Sequence, residues 1–354
     1  MTDDDSDFRA SMNVRGRGTG ELAKGRFERL EVEFEQGEAR QVKTELFNDA
    51  TRSILSFNDS PDIGFSASLN PYRGCEHGCI YCYARPTHEY LGLSAGLDFE
   101  TKLFAKKEAA GLLREALQAK NWKPQTIAVS GVTDCYQPIE RQLGITRQCL
   151  EVLAEFRNPL VVITKNILVT RDIDILQRLV PYQAAHVVIS LTTLDKELAR
   201  TMEPRASRPD LRLKAIEELN KAGIPVSVNM APIIPGLTDH EIPALLKSAA
   251  DAGARSAHYT LVRLPYGVKD LFQTWLDEHY PAQKQKILNR IRETRGGKLY
   301  DAEFGSRMKG EGVYAGHIAS LFAQSRKRYG LDKKSSGLSA EHFRRAPEAQ
   351  LSLL

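Results

Sequence analysis

The sequence predicts an α/β protein: about six parallel strands with helices between them, an irregular N-terminal segment before them and a mostly helical extension after them. Three observations lead there. Short apolar, β-branched runs alternate with amphipathic runs from about residue 65 to residue 262. Two of those runs, LVVI and HVVI, are apolar but for His186, as strands covered on both faces of a parallel sheet are. Near residue 268 the alternation stops and helical patterning takes over. Six such strands can curl into an incomplete barrel or lie as an open doubly wound sheet, and both arrangements put chemistry at the carboxyl ends of the strands.

Residues 1–60 are glycine-rich and charged in part, as in GRGTGELAKGRFER, and carry no sustained period. The strand candidates follow: 64–70, 126–131, 160–165, 186–191, 224–232 and 256–262. Helices are predicted over 102–120, 139–156, 170–180, 207–222 and 238–252. In 139–156, Ile139, Leu143, Leu150, Leu153 and Phe156 form a helical stripe. Ser207 with Pro209 and Asp210 is read as a helix start, and Thr238 with Glu241 as a capping box; Gly223 and Gly253 are the matching stops. The core is thus expected over 61–267. Residues 268–354 are read as a helical extension, broken at Pro281 and helical again over 313–329.

Composition narrows the class. Hydrophobic residues make up 42% of the 354, enough for a large core, and mean hydropathy is below zero. No run approaches the roughly 18 apolar residues of a membrane helix. The acidic, polar start MTDDDSDF lacks the pattern of a secretory signal, so a cytoplasmic location is expected, with no membrane partner. In that compartment five cysteines point to metal or redox chemistry rather than disulfides. Net charge is +4, but residues 280–354 hold 15 Lys and Arg against 7 Asp and Glu, a local +8 that makes a nucleic acid a candidate partner.

Three of the cysteines crowd into GCEHGCIYCYARP: Cys75, Cys79 and Cys82, spaced C-x3-C-x2-C. Thiolates select iron–sulfur clusters, zinc or copper(I). A structural zinc wants four protein ligands, usually in two separated pairs, and no second pair follows here. His77 sits inside the loop, awkwardly placed for a fourth ligand. Three thiolates on one short loop suit three corners of a [4Fe-4S] cluster, leaving the fourth iron for a non-protein ligand. The loop follows the first strand candidate, where a barrel's active site would lie.

This motif, with the aromatic Tyr81 before its last cysteine, resembles that of the radical S-adenosylmethionine superfamily. NPYRGCEHGCIYCYAR, VTDCYQPIER, TKN, RDIDIL and MAPIIPGLTD are similar to a narrower bacterial group, the spore photoproduct lyase-like or "DNA repair photolyase"-like proteins. The resemblance implies a partial (β/α)6 barrel. It implies one [4Fe-4S] cluster on Cys75, Cys79 and Cys82, whose open iron chelates S-adenosylmethionine. Reductive cleavage of that cofactor to a 5′-deoxyadenosyl radical, and hydrogen abstraction from a substrate, would follow.

Further roles come with it. Ser130, Gly131, Thr133 and Asp134 match the second-strand motif that contacts the methionine amino group. Lys165 matches a lysine that binds the cofactor carboxylate. Ser190 resembles a ribose contact, Asn229 is a similar candidate, and Ile233–Gly236 resembles the stretch against adenine. Arg205, after the fourth strand, is a candidate to hold a phosphate or carboxylate at the barrel mouth, which Tyr72 and Tyr136 are expected to flank. Cys135 is the candidate hydrogen donor, whereas Cys149 on its helix reads as core. A flavodoxin or ferredoxin would be the electron donor. The substrate, a nucleic acid by the lyase-like resemblance, has competitors: a protein, a small metabolite, or none, if the cluster only senses.

Overall fold

A computed structural model of the chain describes Val14, residues 16–23, Arg26, residues 42–333 and residues 337–345. Parts of the expected N-terminal segment (1–13, 27–41) and the end of the tail (346–354) lie outside the described residues.

Ten strands are described: β1 (Glu45–Asn48), β2 (Leu55–Phe57), β3 (Ala67–Leu69), β4 (Tyr72–Arg73), β5 (Lys102–Ala105), β6 (Ile127–Val129), β7 (Leu160–Thr164), β8 (Ala185–Ser190), β9 (Val226–Ile233) and β10 (Ser256–Leu261). The six expected strands are β3 and β6–β10. They pair in parallel in the order β10-β9-β8-β7-β6-β3. β2 adds an antiparallel seventh strand beyond β3, so the sheet begins inside the stretch read as irregular. A second sheet, β1-β5-β4, stands beside the chain that leaves β3. This is the partial-barrel α/β fold: the strand order runs from β10 to β2 without closing.

Burial shows which face is which. Along β7, Leu160, Val162 and Thr164 are buried while Val161 and Ile163 are half-buried; along β8, His186 and Val188 are half-buried between buried neighbours. The helix-facing side is therefore sealed and the inner side is not. The apolar runs had suggested cover on both faces; a curled sheet with a partly open interior needs it on one.

The helices depart from expectation where a side chain has another partner. Lys102–Ala105 is β5, and the helix begins only at Ala109. The stretch 139–156 breaks at Gly144, whose φ of 63° starts a new helix over Ile145–Phe156. Ser207 caps nothing: its hydroxyl accepts from Ile167 N (2.9 Å) and donates to Asn166 (3.1 Å). Thr238 and Glu241 form no capping box, because Glu241 accepts from Thr193 and Leu194 N at 2.6 and 2.7 Å. C-terminal to β10, helices Val268–His279, Lys284–Glu293 and Gly312–Arg328 carry the mostly helical extension, interrupted at Pro281 as expected.

Candidate active site

The chain leaves β3, pairs briefly as β4 and enters the cysteine loop. Gly74 turns it with φ 77°, where a Cβ would lie 2.8 Å from Leu103 and 3.0 Å from the Phe99 carbonyl. Backbone bonds fix the rest: Cys75 N to Phe99 O (2.8 Å), Cys82 N to Cys79 O (3.1 Å) and Ile80 N to Met202 O (3.1 Å). Cys75 and Cys79 are buried, Cys82 is partly exposed, and all three are free thiols. Burial pushes the Cys75 and Cys79 thiols up, with the nearby Lys165 opposing it at Cys79. Such thiols ionise when a metal takes them.

The donor set fits a cubane. Among the described residues no three His, Cys, Asp or Glu side chains converge as ligands of one ion would. A cluster asks each thiolate for a different iron corner, so its ligands need not converge.

A back wall holds the loop. Arg85, three residues after Cys82, is fully buried and pairs with buried Glu100 (2.6 Å). The same guanidinium donates to the carbonyls of Cys79 (3.0 Å), Ala95 (3.2 Å) and Gly96 (3.0 Å). Glu76 is also buried; it accepts from Ile139 N (2.7 Å) and Thr44 (2.6 Å) and pairs with Arg205 (2.9 Å). Arg205 thus gives one nitrogen of its guanidinium to Glu76 and stays half-exposed. Tyr81 donates its hydroxyl to Glu203, which pairs with Arg212, and all three are buried.

The loop after β6 is wired the same way. Ser130 has φ 102° and turns its hydroxyl to the Thr133 carbonyl. Thr133 donates to the Tyr72 carbonyl (3.0 Å), and Asn70 accepts from Val132 N (3.0 Å). At Gly131, with φ 119°, a Cβ would meet nothing closer than 3.9 Å, so its backbone faces open space. Asp134 accepts from Tyr136 N (2.9 Å), Thr164 (2.7 Å) and Lys165 N (2.8 Å), and pairs with His77 Nδ1 at 3.4 Å. Burial raises its pKa, but His77, Thr164 and the Lys165 amide outweigh burial and hold it down to about 2. A carboxylate offers about four lone-pair sites, and these four contacts fill them. Asp134 therefore ties the cysteine loop to the end of β7 instead of presenting an acceptor to a ligand.

Three other expected residues end strands on the inner side. Lys165 follows β7; no carboxylate lies within ion-pair distance among the described residues, and its ammonium stands 5.9 Å from the Tyr81 ring centroid. Ser190 ends β8 and pairs in register with Asn229 on β9. The Asn229 side-chain oxygen is buried and has no hydrogen-bond partner. Ile234 shares a buried cluster with Cys79 and Tyr81.

Cys135 is elsewhere. It is fully buried in the main core with Tyr72 and Tyr136, away from the cysteine loop's cluster of buried residues. Tyr72 and Tyr136 point inward too, to Glu140 and Asp172. Cys149 is core, as its helical position implied. Sequence reasoning missed Arg85, Glu100, Asn70 and Glu203. Only Arg85 carried a signal, adjoining the motif; the others reveal themselves through partners distant in sequence.

A profile of the Radical SAM superfamily matches residues 69–249. The chain belongs to that superfamily of enzymes, whose cofactors are a [4Fe-4S] cluster and S-adenosylmethionine. An uncharacterized protein of Mycobacterium bovis is 34% identical over 266 residues, covering 73% of this chain and 77% of its own. The "Radical SAM Nalpha-GlyT isomerase" of Pseudomonas phage M6 is 27% identical over 173 residues, 48% of this chain and 34% of its own. Among solved structures, spore photoproduct lyase complexed with dinucleoside spore photoproduct superposes with a TM-score of 0.59 at 15% identity, over 84% of this chain and 85% of that one. That likeness is one of fold.

Proposed function

We propose that this radical SAM enzyme acts on a nucleic acid, with Cys75, Cys79 and Cys82 as the cluster ligands and Lys165 as the anchor of the S-adenosylmethionine carboxylate. The observation that carries the site assignment is the pairing of three thiols on one buried loop with a lysine that has no acid partner among the described residues. When bound, the cofactors supply reductive cleavage of S-adenosylmethionine and hydrogen-atom abstraction. The chain's own residues hold and shield. Arg85 and Glu100 fix the loop from behind. Asp134 sets the Lys165 backbone, and Tyr81, pinned by Glu203, lies under the ammonium as a cation–π face. Asn229 offers the unpaired acceptor that a ribose hydroxyl or an ammonium would fill, and Ser190 stands beside it. The backbone at Gly131 leaves room for the methionine moiety.

The nucleic-acid substrate is supported by the basic residues 280–354 and by the dinucleoside spore photoproduct with which a fold neighbour is complexed. A cytosolic flavodoxin or ferredoxin would supply the electron. The test is anaerobic reconstitution with dithionite and S-adenosylmethionine, with Cys82→Ala as control, reading 5′-deoxyadenosine by mass spectrometry with and without single-stranded DNA or RNA. Cysteine-dependent product that rises with the nucleic acid supports both halves of the proposal. Product indifferent to every nucleic acid leaves the chemistry standing and removes the substrate. Absence of product in all conditions favours a cluster that senses.

A further inference from the structure

The sheet ends at β10, where Asp332 bridges to Ser256, and among the described residues three cations along that edge stand in no ion pair. Several arginines in the interior or half-buried are in ion pairs, Arg85 with Glu100, Arg212 with Glu203, Arg205 with Glu76 and Arg307 with Asp62, and buried Arg295 gives its guanidinium to the Ser306 and Val262 carbonyls. Arg263, just past β10, is in no such pair among the described residues. Its contacts are the Met308 sulfur at 3.8 Å and the Tyr83 ring at 5.3 Å, and its buried Nε has no partner. Lys309 donates to the Tyr259 carbonyl on β10 (2.6 Å) and lies 3.5 Å from the Tyr259 ring centroid. Arg326, on the long C-terminal helix, likewise has a buried Nε without a partner. Burial first and Arg326 second hold Lys309 down to about 8, which puts the two cations near each other. His258 feels both. Like charges brought together, with no carboxylate in ion-pair contact among the described residues, are costly unless an anion completes them.

Their spread selects the anion. Lys309 lies at Tyr259 and Arg263 beyond the strand's end, about 13 Å further at roughly 3.3 Å per residue. A strand with a phosphate for every ~3.4 Å of helix axis can follow such a line. The line also has a direction. Arg263 sits over Tyr83, the residue after Cys82, and the Tyr83 hydroxyl donates to the Gly131 carbonyl, so this end is the barrel mouth. Tyr83 is 48% exposed, an aromatic face on which a base can stack.

We propose that Arg263, Lys309 and Arg326 along the β10 edge form a phosphate track that seats a nucleic-acid strand and brings one of its bases onto Tyr83 at the mouth. The proposal rests on the nucleic-acid reading above and assigns it a surface.

The experiment uses the reconstituted holoenzyme and a fluorescein-labelled 12-nucleotide single-stranded DNA, read by anisotropy over a salt series. Arg263→Gln and the double variant Lys309→Gln/Arg326→Gln are expected to bind at least about tenfold more weakly, and the slope of log affinity against log salt to fall by about one for each phosphate contact removed. Arg263→Lys is expected to keep the wild-type slope. Cluster absorbance and melting temperature at the wild-type level qualify a variant as folded. If the wild-type protein binds the oligonucleotide and the folded variants bind it equally well, with the same salt slope, the track is wrong and the nucleic-acid reading survives. If the wild-type protein binds no oligonucleotide even at low salt, the nucleic-acid reading falls and takes the track with it.

Discussion

Two walls of one barrel treat charge in opposite ways. Behind the cysteine loop the buried charges are paired, Arg85 with Glu100, Arg205 with Glu76, Arg212 with Glu203 and His77 with Asp134, although His88 Nδ1 there has no hydrogen-bond partner. Across the interior and along β10 the polar groups wait. Among the described residues Lys165 has no acid within ion-pair distance, Asn229 has an orphaned oxygen, and Arg263 and Arg326 have orphaned nitrogens. Buried polar groups are nearly always satisfied, so the difference separates scaffold from site. The satisfied wall spends its charges on shape; the unsatisfied one keeps them for ligands. The contrast also corrects the intuition that a charged residue near a cofactor motif must touch the cofactor. Asp134 is near it and is already used.

The largest effects should come from breaking the two walls at their centres. Cys79→Ala is expected to abolish cluster binding and 5′-deoxyadenosine formation while far-ultraviolet circular dichroism stays that of the wild type; iron content near the wild-type level would contradict the ligand assignment. On the satisfied wall, Glu203→Gln removes one partner of a buried pair and leaves Arg212 uncompensated. Such losses cost about 3–5 kcal/mol. Chemical denaturation of the protein should show a loss of that size, and a change under about 1 kcal/mol would mean that the wall is not a coupled scaffold.

The fold was legible because it rests on periodicity. The runs at β7 and β8 and the helix stops at Gly223 and Gly253 follow local rules that a chain states residue by residue. The cysteine loop was legible for the same reason: its spacing is local and its thiols are rare. What stayed hidden depends on contacts across the sequence. Glu100 meets Arg85 only after the loop folds back, and Thr238 and Glu241 look like a capping box until Thr193 and the Leu194 amide claim the carboxylate. Cys135 shows the same limit from the other side. It stands one residue after Asp134, and the turn that aims Asp134 at His77 sends Cys135 into the core.

The inner wall predicts a pH response. His186 on β8 bonds Ser227 (2.7 Å), and burial, then His258 and Arg255, hold it down to about 4 from an ordinary 6.5. The unfolded chain takes the proton below about 6.5 while the folded protein refuses it, so stability is full above that pH and drains between 6.5 and about 4. The loss is about 2–3 kcal/mol. His186→Gln should flatten that part of the stability profile; an unchanged slope would show that the inner wall is wet enough to let the histidine protonate freely. A step smaller, Lys165→Met should raise the KM for S-adenosylmethionine about 30-fold, the worth of one charged hydrogen bond at about 2 kcal/mol, with iron content unchanged. A KM left where it was would move the carboxylate anchor elsewhere.

Asn229 gives the smallest effect and the sharpest test of the contrast. Its orphaned oxygen costs the ligand-free protein something, since a buried acceptor has given up water for nothing. Asn229→Ala removes that cost. The variant should therefore be as stable as the wild-type protein without S-adenosylmethionine, or slightly more so. It should also bind the cofactor about fivefold more weakly, near 1 kcal/mol, because the bond that repaid the cost is gone. A scaffold residue behaves oppositely: its removal destabilises the free protein and leaves binding nearly alone. If Asn229→Ala melts several degrees early and binds S-adenosylmethionine normally, then Asn229 belongs to the satisfied wall. An unpaired atom would then no longer mark, in this barrel, where a ligand sits.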